Sequence, residues 1–175
     1  MKALSRATSG VFALLAIFAL RGVDAASGAI PPTPQVKPAC TDRSRTCLLK
    51  TVSIYIDGLS RHDASRIPFA PNVRCTEQGN IEVTDEAKFR AEINASKDIL
   101  GARNLRLLAD EQRGEVGAFY MLDIGSMAGK PPFTVRRGQR FKVVAGLITE
   151  VEVYNYFDPK AGGQAQSLWP DEPAP

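Results

Sequence analysis

Apolar side chains recur at helical spacing near the start of the regular part of the chain. Their offsets of 0, 4, 7, 8 and 11 place them on one face of an amphipathic helix, and they are Leu48, Val52, Tyr55, Ile56 and Leu59. A second helix is predicted at Asp85–Leu100, where Thr84 offers a cap and Gly101 a stop. Its candidate core residues are Phe89, Ile93 and Ile99.

Strand-like alternation replaces helical spacing elsewhere. Prolines at positions 68 and 71 break regular structure, and a short strand is predicted directly after them, at Asn72–Glu77. In that strand Val73, Cys75 and Glu77 share one face. A turn at 78–80 follows the strand.

Four further strands are predicted at 105–112, 116–124, 133–144 and 147–157, and a tight turn at Ala145-Gly146 joins the last two. Helices followed by consecutive antiparallel strands define an α+β class, in which the helices pack on one face of a curved antiparallel sheet. Within the strands, Tyr120 and Asp123 are expected to face opposite ways. Glu150 and Glu152 are expected on a solvated face, paired with Arg140 and Lys142.

The first 25 residues have the pattern of a secretory signal peptide. Lys2 and Arg6 are positively charged, Val11–Leu20 is almost wholly apolar, and small residues precede a cleavage site after Ala25. The apolar run is shorter than the roughly 20 residues that cross a bilayer. We therefore expect an exported protein, periplasmic or secreted, without membrane association after signal removal; a retained anchor is the alternative.

Composition divides the remaining chain and excludes several functions. A Pro-rich leader is predicted at 26–39, one domain at 40–159 and a flexible tail at 160–175. The net charge of +3 is too small to predict nucleic-acid binding. A single histidine excludes an intrachain metal site that needs two imidazoles. We expect no metal, no cofactor and no nucleic-acid partner.

Three cysteines, Cys40, Cys47 and Cys75, follow the predicted signal. Export to an oxidising compartment makes one disulfide plausible, and three pairings are possible. We favour Cys40–Cys47, which closes the loop before the first helix and requires that helix to begin near Thr46. Cys75 is then expected to be a buried free thiol.

Two segments carry a recognisable pattern: Tyr55–Asp63 (YIDGLSRHD) with Phe69–Glu77 (FAPNVRCTE), and Arg140–Glu152 (RFKVVAGLITEVE). Over roughly residues 48–159 the chain resembles the nuclear transport factor 2-like (SnoaL-like) superfamily, which includes ketosteroid isomerases, scytalone dehydratases and polyketide cyclases. The proline spacing and the phrase Thr76–Gly79 are most similar to small secreted members. The resemblance implies a cystatin-like roll, whose sheet forms a cone with the helices across it and an apolar pocket at the open end.

The resemblance also implies two catalytic residues. Tyr55 stands where the isomerases keep a tyrosine that donates to an enolate oxygen, and Glu77 stands at the position of their carboxylate base. Gln139 occupies the position of their protonated carboxylic acid, and an amide is a weaker donor. Gln139, Cys75 and Phe141 are the predicted ligand contacts.

Other interpretations of these residues stay open. Tyr55 also fits a core tyrosine with a satisfied hydroxyl, and Glu77 also fits a solvated strand end. His62, next to Asp63, fits an interaction with the helix terminus better than catalysis.

The leading hypothesis is an exported cone domain that binds a small apolar molecule. If it is an enzyme, it is an isomerase or dehydratase that abstracts a proton next to a carbonyl by acid–base catalysis without metal. The alternative is a non-catalytic ligand-binding or dimerisation module of the same fold. A third possibility is a protein partner on the exposed sheet face, through which the resemblance implies a homodimer.

Overall fold

A computed structural model describes residues 36–38, 40–126 and 131–156. The predicted signal peptide at 1–25, most of the leader at 26–39 and the tail at 160–175 lie outside the described residues. Of the helices in the described ranges, none is long and apolar enough to cross a membrane.

Two helices and six strands alternate along the described chain. They are α1 (Arg45–Arg61), β1 (Phe69–Glu77), β2 (Asn80–Val83), α2 (Glu86–Ala95), β3 (Ile99–Asp110), β4 (Glu115–Ile124), β5 (Phe133–Val144) and β6 (Leu147–Tyr156).

The six strands form one curved sheet in the order β2-β1-β6-β5-β4-β3. The β1–β6 pair is parallel and the other pairs are antiparallel. α1 packs against β3, β4 and β5, and α2 packs against β1. Both helices therefore cover one face of the sheet, which gives the α+β cone that the sequence predicts.

The first helix follows its predicted apolar face closely. All five residues of the spacing are buried, and Leu48 and Val52 have no exposed surface. The Ser44 side chain accepts a hydrogen bond from the Cys47 amide and caps the N-terminus. At the other end His62 adopts a left-handed conformation and its amide donates to Gly58 and Leu59 carbonyls. His62 therefore ends the helix through its backbone, while its ring nitrogen Nδ1 is buried without a hydrogen-bond partner among the described residues.

The second helix is shorter than the sequence predicts. Asp85, not Thr84, is its N-cap, because the Asp85 carboxylate accepts the Lys88 amide at 2.8 Å. The helix ends at Ala95, and Ile99 pairs with Ile124 as the first residue of β3. Strand pairing with β4 thus takes residues 99–100 away from the helix and also moves the start of β3 from 105 to 99.

The first strand and its neighbour also correct the prediction. β1 begins at Phe69 and runs through Pro71, where its pairing with β6 is interrupted between Phe69 and Arg74. Prolines within sheets are found at such irregularities, where the missing backbone N–H does not break a regular ladder. β2 was missed because it has only four residues, three of them exposed, and it begins within the predicted turn.

The Cys40–Cys47 disulfide that we favour is present, with Cα atoms 5.7 Å apart, and Cys75 is a buried free thiol. The disulfide ties the segment before α1 to the first turn of that helix, and the same segment lies against the β5–β6 turn. There Gly146 has a φ of 76°, and a side chain at this position would overlap the Cys40 carbonyl and Pro38. The backbone of the segment therefore packs directly against the turn, and only glycine leaves room for this contact.

We expect the double variant Cys40→Ala/Cys47→Ala to lower the free energy of unfolding by about 2–3 kcal/mol, because the crosslink restricts the unfolded chain. Urea denaturation of the oxidised protein measures this, and the unmodified protein with a reductant should reproduce the loss. Cys75→Ala is the control for thiol removal. An unfolding free energy that is the same with and without the crosslink would contradict the prediction.

One ion pair is buried where α2 meets the loop between α1 and β1. Arg90 Nη2 lies 2.7 Å from Glu86 Oε1, and the two side chains are 9% and 10% exposed. The same guanidinium donates to the carbonyls of Ala64 and Ile67 and lies 5.3 Å from the centre of the Phe69 ring. Arg90 therefore satisfies three acceptors that have little access to water.

Candidate functional site

Tyr55 lies on the buried face of α1 and is 3% exposed. Its ring packs edge-on against Phe141 at 4.9 Å and against Phe69 and Phe89 at 6.1 Å between ring centres. Burial in this aromatic cluster raises the pKa of the Tyr55 phenol far above its usual value. The hydroxyl therefore stays protonated at any physiological pH and can serve only as a neutral hydrogen-bonding group.

Gln139, on β5, joins Tyr55 to a second buried phenol. Its Nε2 donates to the Tyr55 hydroxyl at 3.3 Å, and its Oε1 accepts from the Tyr120 hydroxyl at 2.6 Å. All three side chains are at most 4% exposed. The amide therefore fixes both phenols in one buried network, where each hydrogen bond is strengthened by the low local dielectric.

Tyr120 comes from β4 and lies directly opposite Arg137 of β5. Burial raises the pKa of Tyr120 to about 12, although the charge of Arg137 and a side-chain hydrogen bond with it act in the opposite direction. Arg137 is half-buried, and its Nε donates to Asn155 Oδ1 at 2.8 Å. Tyr120, Arg137 and Asn155 thus form one row across β4, β5 and β6.

Glu77 ends this series of contacts at the last residue of β1. Asn155 Nδ2 donates to Glu77 Oε1, and the neighbouring Gln78 Nε2 donates to the Asn155 carbonyl at 2.8 Å. Glu77 is half-buried and lies opposite Val153, which in turn lies opposite Gln139. We call the connected set the polar chain: Glu77, Asn155, Arg137, Tyr120, Gln139 and Tyr55.

The predicted catalytic residues thus lie at the two ends of the polar chain. No direct hydrogen bond joins Tyr55 to Glu77 among the described contacts; four side chains connect them. The predicted ligand contacts lie at the buried end of the polar chain. Gln139 belongs to the polar chain, and the fully buried Phe141 packs against Tyr55. Cys75 is 6% exposed, and burial, with Glu77 nearby, raises the pKa of its thiol to about 12.

Sequence analysis missed Arg137 and Asn155 and assigned Tyr120 no role. Alternation would have found their direction, since Arg137 lies between the buried residues Val135 and Gln139. As expected, Asp123 faces away from Tyr120, and its carboxylate binds Arg103 and Thr134. Alternation does not predict the strand register, and it is the register that places Tyr120, Arg137 and Asn155 in one row.

The six-stranded sheet with its two helices defines the class by fold: it is the cone fold of nuclear transport factor 2-like (SnoaL-like) proteins. Solved structures with this fold include an NTF2-like protein from Anabaena variabilis, at 12% identity and a TM-score of 0.56. That match covers 71% of this chain and 95% of the other. An LEH-like epoxide hydrolase from M. tuberculosis matches at 15% identity and a TM-score of 0.56, over 67% and 90% of the two chains.

A candidate polyketide cyclase from Xanthomonas campestris matches at 23% identity and a TM-score of 0.54, over 68% of this chain and 96% of that one. At these identities the likeness establishes the fold alone.

A family model described as a domain of unknown function, DUF8021, matches residues 41–154, and the chain belongs to this family. None of the curated proteins matches the chain.

Proposed function

We propose that the domain is exported and binds a small, mostly apolar carbonyl compound within the cone, where Glu77 abstracts a proton next to the carbonyl. The carbon–hydrogen electron pair moves into a carbon–carbon double bond, and the carbonyl oxygen takes the negative charge. Tyr55 donates a hydrogen bond to that oxygen. Return of the proton to another carbon gives isomerisation, and loss of a β-hydroxyl gives dehydration.

The observation that carries this proposal is the unused donor of Tyr55. Its hydroxyl oxygen accepts from Gln139, but no acceptor for its own proton is found among the described residues. A protonated phenol in a dry site, already held by one hydrogen bond, is suited to stabilise an oxyanion. Its raised pKa keeps the proton available across the physiological range.

Glu77 has the complementary property. Asn155 holds only one of its carboxylate oxygens, Oε1, and within the described part of the chain Oε2 has no hydrogen-bond partner. A carboxylate oriented through one oxygen leaves the other free to accept a proton from a ligand. A half-buried position at the end of β1 gives it access to a bound molecule.

Proton exchange tests the proposal directly. The probe is 2-decalone, an apolar bicyclic ketone, in D₂O, with loss of its α-proton signals followed by NMR. We expect Glu77→Gln to slow the protein-dependent exchange at least about 100-fold, because a positioned base contributes about 10²–10⁴. We expect Tyr55→Phe to slow it by about 10²–10³, the usual effect of one lost oxyanion donor.

Matched controls are available for both changes. Glu82→Gln alters an exposed glutamate of β2, and Tyr154→Phe alters an exposed tyrosine of β6; neither belongs to the polar chain. Both should leave exchange unchanged. Exchange that survives Glu77→Gln at the full rate would disprove a base role for Glu77.

A non-catalytic ligand-binding domain is the second candidate, favoured by the near-complete enclosure of Tyr55 among three phenylalanine rings. The same samples distinguish it. If 2-decalone binds by saturation-transfer NMR but no protein-dependent exchange occurs, the cone binds ligand without turnover.

A further inference from the structure

One asparagine of α2 has the sequence context of an acceptor for N-linked glycosylation. Of the five asparagines in the chain, only Asn94 is followed two residues later by a serine or threonine. The segment is Asn94-Ala95-Ser96, and its middle residue is not proline, as the acceptor pattern requires. None of these residues belongs to the polar chain, so the proposed reaction does not use them.

The structure leaves the Asn94 side chain accessible. Asn94 lies in the last turn of α2 and is exposed. Ala91, one turn earlier on the same side of the helix, and the adjacent Ala95 are exposed too. Neither alanine has a side chain long enough to cover the Asn94 amide. A glycan attached there would therefore extend into solvent without displacing a packed group.

The two polar atoms of the Asn94 amide have different roles. Oδ1 accepts the backbone N–H of Ala64 at 2.9 Å, in the loop between α1 and β1. Because that N–H can bond only to an acceptor, the contact fixes which amide atom is oxygen. Nδ2 has no hydrogen-bond partner among the described residues. Attachment of a sugar to Nδ2 keeps the carbonyl oxygen, so the modified side chain can retain its contact with Ala64.

From these observations we infer that Asn94 is the N-glycosylation site of the exported chain, an inference that rests on the export proposed above. The co-reactant is an oligosaccharide joined to a lipid diphosphate, within a secretory pathway that holds this donor. A bond forms between Asn94 Nδ2 and the anomeric carbon of the first sugar. The bond from that carbon to the diphosphate oxygen breaks, the diphosphate leaves with the electron pair, and Nδ2 loses one proton.

Two further features of the chain agree with this modification. The Cys40–Cys47 disulfide is of a kind that persists in oxidising compartments such as the secretory pathway. In the folded domain the Ser96 hydroxyl donates to the Ile93 carbonyl at 2.6 Å, and the acceptor pattern includes the end of α2. Transfer therefore precedes the folding of this end of the helix.

Secretion of the full chain from a yeast host tests the site. The secreted protein is analysed by intact mass and peptide mapping, before and after treatment with peptide-N-glycosidase F. We expect the enzyme to remove the whole glycan mass and to convert Asn94 to aspartate.

Ser96→Ala keeps Asn94 but destroys the acceptor pattern, so we expect it to abolish the mass loss. Ser96→Thr is the matched control, because it changes the same position and keeps the pattern; it should retain the glycan. Asn72→Gln, at an exposed asparagine of β1 without the pattern, should also leave the glycan in place. Circular dichroism checks that each variant is folded.

The outcomes separate the site from the export on which it rests. A full chain that is secreted with an unmodified Asn94 would overturn the inference and leave export standing. A glycan that persists in Ser96→Ala would also overturn it, since the sugar would then be attached elsewhere. If the chain stays in the cell unmodified, but acquires the glycan when a yeast signal peptide replaces residues 1–25, the site is supported and the proposed export is wrong.

Discussion

Arg90→Met should lower the free energy of unfolding by about 3–5 kcal/mol, the usual effect of breaking a buried ion pair. The substitution keeps an unbranched side chain but removes the guanidinium, which among the described residues is the cation paired with the Glu86 carboxylate, whose side chain is 10% exposed. It also leaves the carbonyls of Ala64 and Ile67 without the Arg90 donors. Urea denaturation followed by circular dichroism measures the loss.

A solvent-exposed ion pair of similar geometry serves as the control. Arg61 and Asp57 are also four residues apart on a helix and 2.7 Å apart, but their side chains are 73% and 57% exposed. Arg61→Met should therefore cost only about 0.3–0.5 kcal/mol.

A second variant isolates the charge contribution to the Arg90 effect. Glu86→Gln/Arg90→Met removes the stranded charge and should be more stable than Arg90→Met alone. Equal losses for Arg61→Met and Arg90→Met would show that burial does not set the strength of the Arg90 pair.

Arg90 illustrates what the sequence could not predict. A Glu–Arg pair four residues apart usually indicates a solvated helix face, and nothing local in α2 distinguishes this pair from an exposed one. Its burial arises because the loop after α1 crosses the same helix and presents two carbonyls to the guanidinium. That is a tertiary contact between segments more than twenty residues apart.

The elements that were predicted well are those with a long, unambiguous period. The buried face of α1 and the β5–β6 hairpin were predicted almost to the residue, and the turn between the strands has positive φ at both Ala145 and Gly146. The end of α2 was wrong because Gly101 was taken as the helix stop, while pairing with β4 places Ile99 in a strand.

For the polar chain, the sequence indicated individual residues but not their connections. Resemblance selected Tyr55, Gln139 and Glu77; the helical spacing of α1 supports an inward direction for Tyr55, and strand alternation places Glu77 on one face with Val73 and Cys75. The residues that join them, Tyr120, Arg137 and Asn155, are adjacent only because β4, β5 and β6 pair in one particular register. A shift of one residue would turn the whole row to the opposite face.

Phe141→Ala should lower the free energy of unfolding by about 3–5 kcal/mol, because it opens a cavity at a fully buried position. Its ring is also the closest aromatic wall of Tyr55, at 4.9 Å. Phe119→Ala, at a phenylalanine that is 52% exposed on the other face of the same sheet, should change stability by only about 0.5 kcal/mol. Urea denaturation compares the two.

The Phe141 prediction concerns more than packing, because the same ring excludes water from Tyr55. Phe141→Leu, which retains more of the volume, should lose less stability than Phe141→Ala. If near-ultraviolet difference spectroscopy shows that Tyr55 becomes accessible to solvent in folded Phe141→Ala, the aromatic cluster is what excludes water from the Tyr55 hydroxyl. A loss of less than about 1 kcal/mol for Phe141→Ala would mean that the surrounding side chains close the gap, and Phe141 would then not be needed to enclose the site.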